Sequence, residues 1–408
     1  MAVTPTTRLD LAELLMAVEN APPVAAADVL GERLAATFGA SEVSLLVADF
    51  SGRALVRLGH AGGDQDTRTQ GRETADGVSL LGTSQGRALA EQALVIQDTS
   101  DGQRVFAPVT NRGEAIGVLQ VRFGESPDEQ TVDDVALAAH ALAYVVIANR
   151  RFTDLFEWGQ RSVPLSLAAE VQHRLLPDAF TCEAGQFTLA AWLEPAGEVA
   201  GDTFDFAMER DTLHMSMTDA MGHSIDASIL ATVLVGGLRN ARRAGVGLGE
   251  QARLANEGLA EYARRGGFVT GQLARIDLQA ETATIVNAGH PLPLRLRGGR
   301  LEEVDLDADP PFGIVRDMRY RVQSLPLEPG DRLMFLTDGM LERNAAHADM
   351  AGLIAAGGAM HPREAVQHLV QAVLEATDGT LDDDATVMCL DWHGGPARER
   401  TSDAGSND

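Results

Sequence analysis

The chain of 408 residues contains no lysine, and all 33 of its basic residues are arginine. Lysine is the amine that grips NTP phosphates in P-loops, pairs with ATP in protein kinases and forms Schiff bases. None of those chemistries can reside here in its usual form. Positive charge is scarce altogether: against 59 Asp and Glu the formal net charge is −26. Nucleic-acid binding draws on basic side chains that neutralise phosphates, so DNA or RNA is disfavoured as a ligand. Cysteine is nearly absent, and Cys182 and Cys389 match no metal spacing or redox pair, which points to a reduced, cytoplasmic protein. Residues Met1 to Asp10 lack a basic stretch followed by an apolar run, so no signal peptide is expected. The most apolar stretch, Val135 to Ala148, is short for a bilayer and carries His140, so no membrane span is expected either.

Apolar residues make up 45% of the chain, enough to build proper cores, and its length fits two or three domains on the usual prior of roughly 100–200 residues each. The acidic surplus reads mostly as solvated surface. Carboxylates are also the ligands that hard divalent cations such as Mg²⁺ or Mn²⁺ require.

Along the chain, apolar residues recur at helical spacing from Leu9 to Phe38, and Pro22-Pro23 breaks the pattern into two helices. Strands are then expected at Val43–Ala48, Ala54–Leu58, Ala93–Gln97, Val105–Val109 and Ala115–Phe123. A helix follows, with Ser126 as cap, Pro127 at its first position and Asp128 and Glu129 in its first turn. It is expected to run on through Asn149-Arg150-Arg151 toward Trp158, until Pro164 interrupts it. A second helix, Ser166 to Leu176, carries an apolar stripe of Leu167, Val171 and Leu175 with Glu170 and Arg174 wet; such a stripe wants a partner, either a dimer contact or the next domain. From Gln186 to Trp392 strands are expected at 188–193, 203–208, 213–218, 268–278, 283–288, 292–296, 319–325, 332–336 and 386–392, with helices at 224–244, 249–264 and 362–376. Many consecutive strands with a helical pair inserted read as α+β. The tail after Gly394 reads as disordered.

Four aspartates stand at strand ends in polar, glycine-containing turns: Asp202 in Ala200-Gly201-Asp202, Asp219 after LHMSMT, Asp338 after RLMFLT, and Asp383 before the last strand. A lone turn aspartate is ordinary. Four in one region, two of them in the same strand-Thr-Asp context, are a candidate for convergence on one site.

The segments EPAGEVAGDTFDF, TDAMGHSIDASILA, NAGHPLPL, FLTDGMLE and DDDATVM occur in the order and spacing of the PPM-type metal-dependent Ser/Thr phosphatase domain, in its SpoIIE/RsbU branch. EVQHRLLPDAF resembles the linker segment that precedes the catalytic domain there, and residues 10–150 resemble a GAF sensor domain, most closely in APVTNRGEAIGVLQVRF. The resemblance implies an α+β fold. A GAF-like domain over 10–150 and a helical linker over 151–178 would precede two stacked antiparallel sheets flanked by helices over 179–394, with a disordered tail over 395–408. It implies two Mn²⁺ or Mg²⁺ ions, with Asp219 and the carbonyl of Ala220 at the bridging position, Asp202 on one ion, and Asp338 and Asp383 on the other. Asp382 and Asp384 would stand behind the ligands or in solvent. All-oxygen ligation suits those ions, which activate water against a phosphoryl group.

The implied substrate is a phosphoserine or phosphothreonine on a STAS-type anti-anti-sigma protein, the implied assembly a homodimer. The GAF-like region is open between a small-molecule sensor and a ligand-free dimerisation module, and it has no cysteine for a covalent bilin. The chain departs from the family at Ala200, where glycine is usual, and at Ser224, where serine reads as a good N-cap. With all four ligand positions aspartate, turnover is expected; the competing reading is a pseudophosphatase that docks the same partner without it. His223 could orient the Asp219 turn or act as general acid, His290 reads as a turn residue, and Arg239, Arg242 and Arg243 read as a solvated face.

Overall fold

The computed structural model describes residues 9–50, 52–62, 77–160, 165–196, 201–222, 224–263, 266–341 and 349–396. The chain divides into two compact units at 164/165.

In the first unit, helices α1 (Leu11–Glu19) and α2 (Ala26–Phe38) are followed by strands β1 (Glu42–Ala48), β2 (Ala54–Gly62) and β3 (Gly77–Ser79). Helix α3 (Ser84–Glu91), strands β4 (Val95–Thr99), β5 (Gly102–Asn111) and β6 (Glu114–Phe123), and helices α4 (Glu129–Asn149) and α5 (Leu155–Gly159) complete it. One antiparallel sheet in the order β3-β2-β1-β6-β5-β4 carries α1, α2 and α4 on one apolar face, while α3 covers a second cluster around Leu46, Leu55 and Phe106.

Three expectations change here. The cap of α4 is Asp128, whose carboxylate accepts from Thr131 N at 2.8 Å, so neither Ser126 nor Pro127 has the role expected of it. By length and composition α4 could cross a membrane; half of its most apolar window is buried against the sheet. Nor does it run on toward Trp158: it stops at Asn149, and α5 turns back to bury Phe156 in the same core.

The second unit opens with α6 (Leu167–Leu175), β7 (Thr181–Glu183), β8 (Phe187–Glu194), β9 (Asp202–Glu209) and β10 (Thr212–Ala220). Helices α7 (Ser224–Arg243) and α8 (Leu248–Tyr262) precede β11 (Val269–Asp277), β12 (Thr282–Ala288), β13 (Leu294–Arg297), β14 (Arg300–Glu303), β15 (Gln323–Pro326) and β16 (Asp331–Leu336). Helices α9 (Met350–Ala356) and α10 (Pro362–Ala376) and the final strand β17 (Ala385–Trp392) close it. Two antiparallel sheets result, β15-β12-β11-β10-β9 and β14-β13-β16-β17-β8-β7.

Side-chain alternation explains why they stack. Leu213, Met215 and Met217 of β10 share one core with Leu333 and Phe335 of β16 and Met388 and Leu390 of β17. The intervening Met334, Leu336, Val387 and Cys389 pack outward under α9 and α10, while α7 and α8 cover Leu273 and Val286 on the other sheet. The order is helices, sheet, sheet, helices.

Here too the boundaries shift. Arg319–Val322 forms no strand, because Asp309 takes both the Arg321 backbone N–H and its guanidinium, and Tyr320 turns in toward Asn256. Ser224 is the first helical residue of α7 rather than its cap. The linker read over 151–178 is shared out, α5 packing in the first unit and α6 in the second. The buried face of α6 is Ala168, Ala169 and Gln172, and Leu167 of the expected stripe is 71% exposed. Gly395 is anchored, donating to Glu281 at 2.7 Å, and the tail beyond 396 lies outside the described residues.

Candidate metal centre

The period-2 pattern that buries Met215 and Met217 also points Asp219 between the sheets, one step further along β10. On β9 the same pattern runs Phe206, Phe204, Asp202, and the ladder places Asp202 directly opposite Asp219. Like charges in such a pair repel. From the other sheet, β16 ends at Thr337-Asp338, and Asp383-Asp384 opens β17. Two glycines allow the approach. A Cβ at Gly201 would meet the Ala220 carbonyl oxygen at 2.7 Å, and one at Gly339 would meet the Asp384 carbonyl oxygen at 2.0 Å.

Asp202 is 2% exposed, and its Oδ2 accepts from the hydroxyls of Thr337 at 2.8 Å and Thr386 at 2.6 Å. Thr337 in turn accepts from Thr386 N at 3.0 Å, so the ends of both sheets are knotted at this carboxylate. Asp384 is equally occupied. It accepts from Gln172 Nε2 at 2.5 Å, Ala196 N at 2.9 Å, Gly201 N at 3.1 Å and Asp202 N at 3.4 Å. Gln172 also donates to the Asp202 carbonyl at 2.9 Å, which ties α6 to the cluster.

Burial is the largest influence on these acids, and their mutual repulsion adds to it. Asp202 is held well above the usual carboxylate range by burial, then by Asp219 and Asp384. Burial, followed by Asp338, Asp383 and Asp384, raises Asp219 to about 7. Asp384 is raised by burial as well. The arginines serve other acids: Arg239 and Arg242 grip Asp205, Arg332 holds Asp391, Arg297 holds Asp331 and Arg321 holds Asp309. Arg239 and Arg242 are thus structural pairs rather than a solvated face.

The donors offered are carboxylates and the main-chain carbonyl of Ala220, hard oxygens that fit Mg²⁺ or Mn²⁺. Among the described residues no three His, Cys, Asp or Glu side chains enclose one point. Asp338 is exposed and Asp383 half-buried, at the open side of the cluster. Cys389 is fully buried with its thiol pushed up by burial, so it is no nucleophile.

The structure places Asp202, Asp219, Asp338 and Asp383 at one end of the two sheets. His223 and Ala200 lie outside the described residues. Thr337, Thr386, Thr270 and Gln172 stand beside them outside the expected set; the Thr-Asp pairs 218-219 and 337-338 and the Asp384-Ala385-Thr386 triplet are the sequence signal for the first two.

Residues 209–393 match the family profile described as Stage II sporulation protein E (SpoIIE). The matched segment, less than half of the chain, resembles that family. Over 232 residues the chain is 22% identical to the phosphoserine phosphatase RsbU of Bacillus subtilis, covering 55% of this chain and 69% of that protein. It is 22% identical over 189 residues to the phosphoserine phosphatase RsbP of the same organism, covering 45% of this chain and 46% of the relative. Among solved structures, the RsbU and RsbW domains of a Mycobacterium tuberculosis protein align at 25% identity and a TM-score of 0.46, over 52% of this chain and 62% of the other. The PP2C domain of Bacillus subtilis SpoIIE with a fragment of its regulatory domain aligns at 20% identity and a TM-score of 0.45, over 52% and 64%. Of these relatives the chain thus spans between about half and two thirds.

Proposed function

We propose that the second unit is a metal-dependent protein serine/threonine phosphatase, acting through Asp219, Asp338 and Asp383 with the carbonyl of Ala220, while Asp202, expected on one ion, is engaged by Thr337 and Thr386. One observation carries this reading: carboxylates from the ends of two sheets face one another, Asp202 and Asp219 raised by burial and by the repulsion of their neighbours, with arginines committed elsewhere. A divalent cation resolves that conflict. A bound pair of Mn²⁺ or Mg²⁺ ions supplies a Lewis acid for phosphoryl oxygens and lowers the pKa of water. The chain's own part is preorganisation. Thr337 and Thr386 hold Asp202 behind the open carboxylates, and Asp384 holds the backbone N–H groups of Ala196, Gly201 and Asp202.

The names of the curated relatives support phosphoserine as substrate, and the motif resemblance supports a STAS-type anti-anti-sigma protein as its carrier. The antiparallel sheet and helices of the first unit are consistent with a GAF-like sensor. In this reading it gates the phosphatase through a homodimer and α6, whose Gln172 reaches the cluster. A pseudophosphatase is the competing reading, favoured by the lack of any three enclosing side chains among the described residues. Hydrolysis of para-nitrophenyl phosphate with Mn²⁺ separates the two. Turnover that disappears in Asp219→Asn and Asp338→Ala supports the enzyme; a metal-replete protein silent on phosphoproteins supports the binding module.

A further inference from the structure

We infer that His290 is a positioning residue for Asp219, acting through the hydroxyl of Thr270. The inference rests on the metal-dependent reading above and concerns residues outside the ligand set.

Thr270 stands on β11 directly across from Asp219, so their side chains share one face of the sheet. Its hydroxyl hydrogen-bonds the Asp219 carboxylate and lies 2.9 Å from His290 Nδ1. His290 is 4% exposed, in the turn that follows β12. One side chain clamps its main chain: Asn287 Oδ1 accepts from His290 N at 2.8 Å, and Asn287 Nδ2 donates to the His290 carbonyl at 3.1 Å. The ring is aimed at Thr270 by a loop with little freedom.

Counting protons fixes the direction of the chain. A carboxylate that ligates a cation is charged and can only accept, so the single Thr270 proton goes to Asp219. The Thr270 oxygen must then accept, and its partner is the imidazole. Burial drives the His290 pKa down to about 4 against a hydrogen bond to the Leu336 backbone, so the ring is neutral with one N–H; with Asp219 charged and Thr270 donating to it, that N–H is on Nδ1 and faces Thr270 rather than Leu336. The result is an ordered relay, His290 Nδ1–H to Thr270 to Asp219. It sets the carboxylate's orientation without placing a competing positive charge beside the cations. Partners behind metal ligands are worth about 10–100-fold in affinity.

The test uses the full chain and Mn²⁺ alone, with free ion followed by electron spin resonance. Thr270→Val removes the hydroxyl at constant shape, and Thr270→Ser keeps it. Asn carries its amide nitrogen on Cγ, as His carries Nδ1, whereas Gln places it one bond further out. The expected result is a Mn²⁺ dissociation constant raised about tenfold or more in Thr270→Val and His290→Gln, but within about threefold of wild type in Thr270→Ser and His290→Asn. A merely structural His290 would suffer more from the smaller Asn than from Gln. Thr270→Val binding Mn²⁺ as wild type does, or His290→Asn no better than His290→Gln, overturns the relay alone. A wild-type chain that takes up no Mn²⁺ overturns the metal reading and the relay with it. Should the His290 variants not fold, the Thr270 pair decides.

Discussion

The neighbouring aspartates 383 and 384 should have opposite phenotypes, and the structure sets the size of the difference. Asp384→Ala removes the acceptor for Gln172 Nε2, Ala196 N, Gly201 N and, at a long 3.4 Å, Asp202 N, all in buried surroundings. A buried donor left without a partner costs about 1–3 kcal/mol, so three well-placed ones cost about 3–9. Losing the charge works the other way, since it relieves burial of Asp384 and its repulsion of Asp202 and Asp219. The buried-network range of about 3–5 kcal/mol is the expected net loss, a large share of a domain's typical 5–15. Asp383→Ala removes a half-buried acceptor of the Asp384 N–H at 2.8 Å and should cost about 1 kcal/mol or less. Urea unfolding in excess chelator, followed by the fluorescence of Trp192 and Trp392, measures both without a metal contribution. With Mn²⁺ restored, Asp383→Ala should be the variant that loses ion binding while remaining folded. An Asp384→Ala protein as stable as Asp383→Ala would refute the assignment of Asp384 as the structural member of the pair.

Other consequences follow from the same geometry. Asp219 has its folded pKa raised to about 7, so its stabilising contribution is fully present below the unfolded value near 3.8 and is lost as pH rises through 7. Metal-free protein should therefore lose up to about 2.5 kcal/mol between pH 5 and pH 8 relative to Asp219→Asn, and denaturation midpoints of the two across that range check it. Gly339→Ala drives a Cβ to 2.0 Å from the Asp384 carbonyl oxygen, so the strand ends must part; the expected loss is about 3 kcal/mol or more, read from the same urea curves. Gln172→Glu sets a carboxylate against Asp384 and the Asp202 carbonyl. It should loosen α6, visible as faster amide exchange over 167–175 than in wild type at pH 8, with less difference at pH 5.

The sequence carried the sheets well because its alternation is strong: Leu213-Met215-Met217 and Leu333-Phe335 each announce an inward face, and Asp219 and Thr337 continue those rows to the sheet ends. It hid what depends on distant partners. The motif leaves Asp384 between a place behind the ligands and solvent, and donors from residues 172, 196, 201 and 202 decide for the first. Leu167, Val171 and Leu175 gave the more conspicuous stripe on α6, yet Gln172 is what the fold buries, because a buried amide with acceptors on both sides outweighs an aliphatic edge. Asn149 carried no helix-ending signal. Its chain reverses because Phe156 finds a place in the first core, a tertiary effect that local patterns do not encode.

The central claim is that these carboxylates hold metal for phosphoryl transfer, and one measurement meets it directly: phosphate release from a phosphoserine peptide by the full chain, with bound Mn²⁺ counted in the same sample. The account predicts turnover that requires Mn²⁺, stops on chelation, and falls together with bound metal in Asp338→Ala. Wild-type protein that binds Mn²⁺ and releases no phosphate, or releases it equally in chelator, would contradict it.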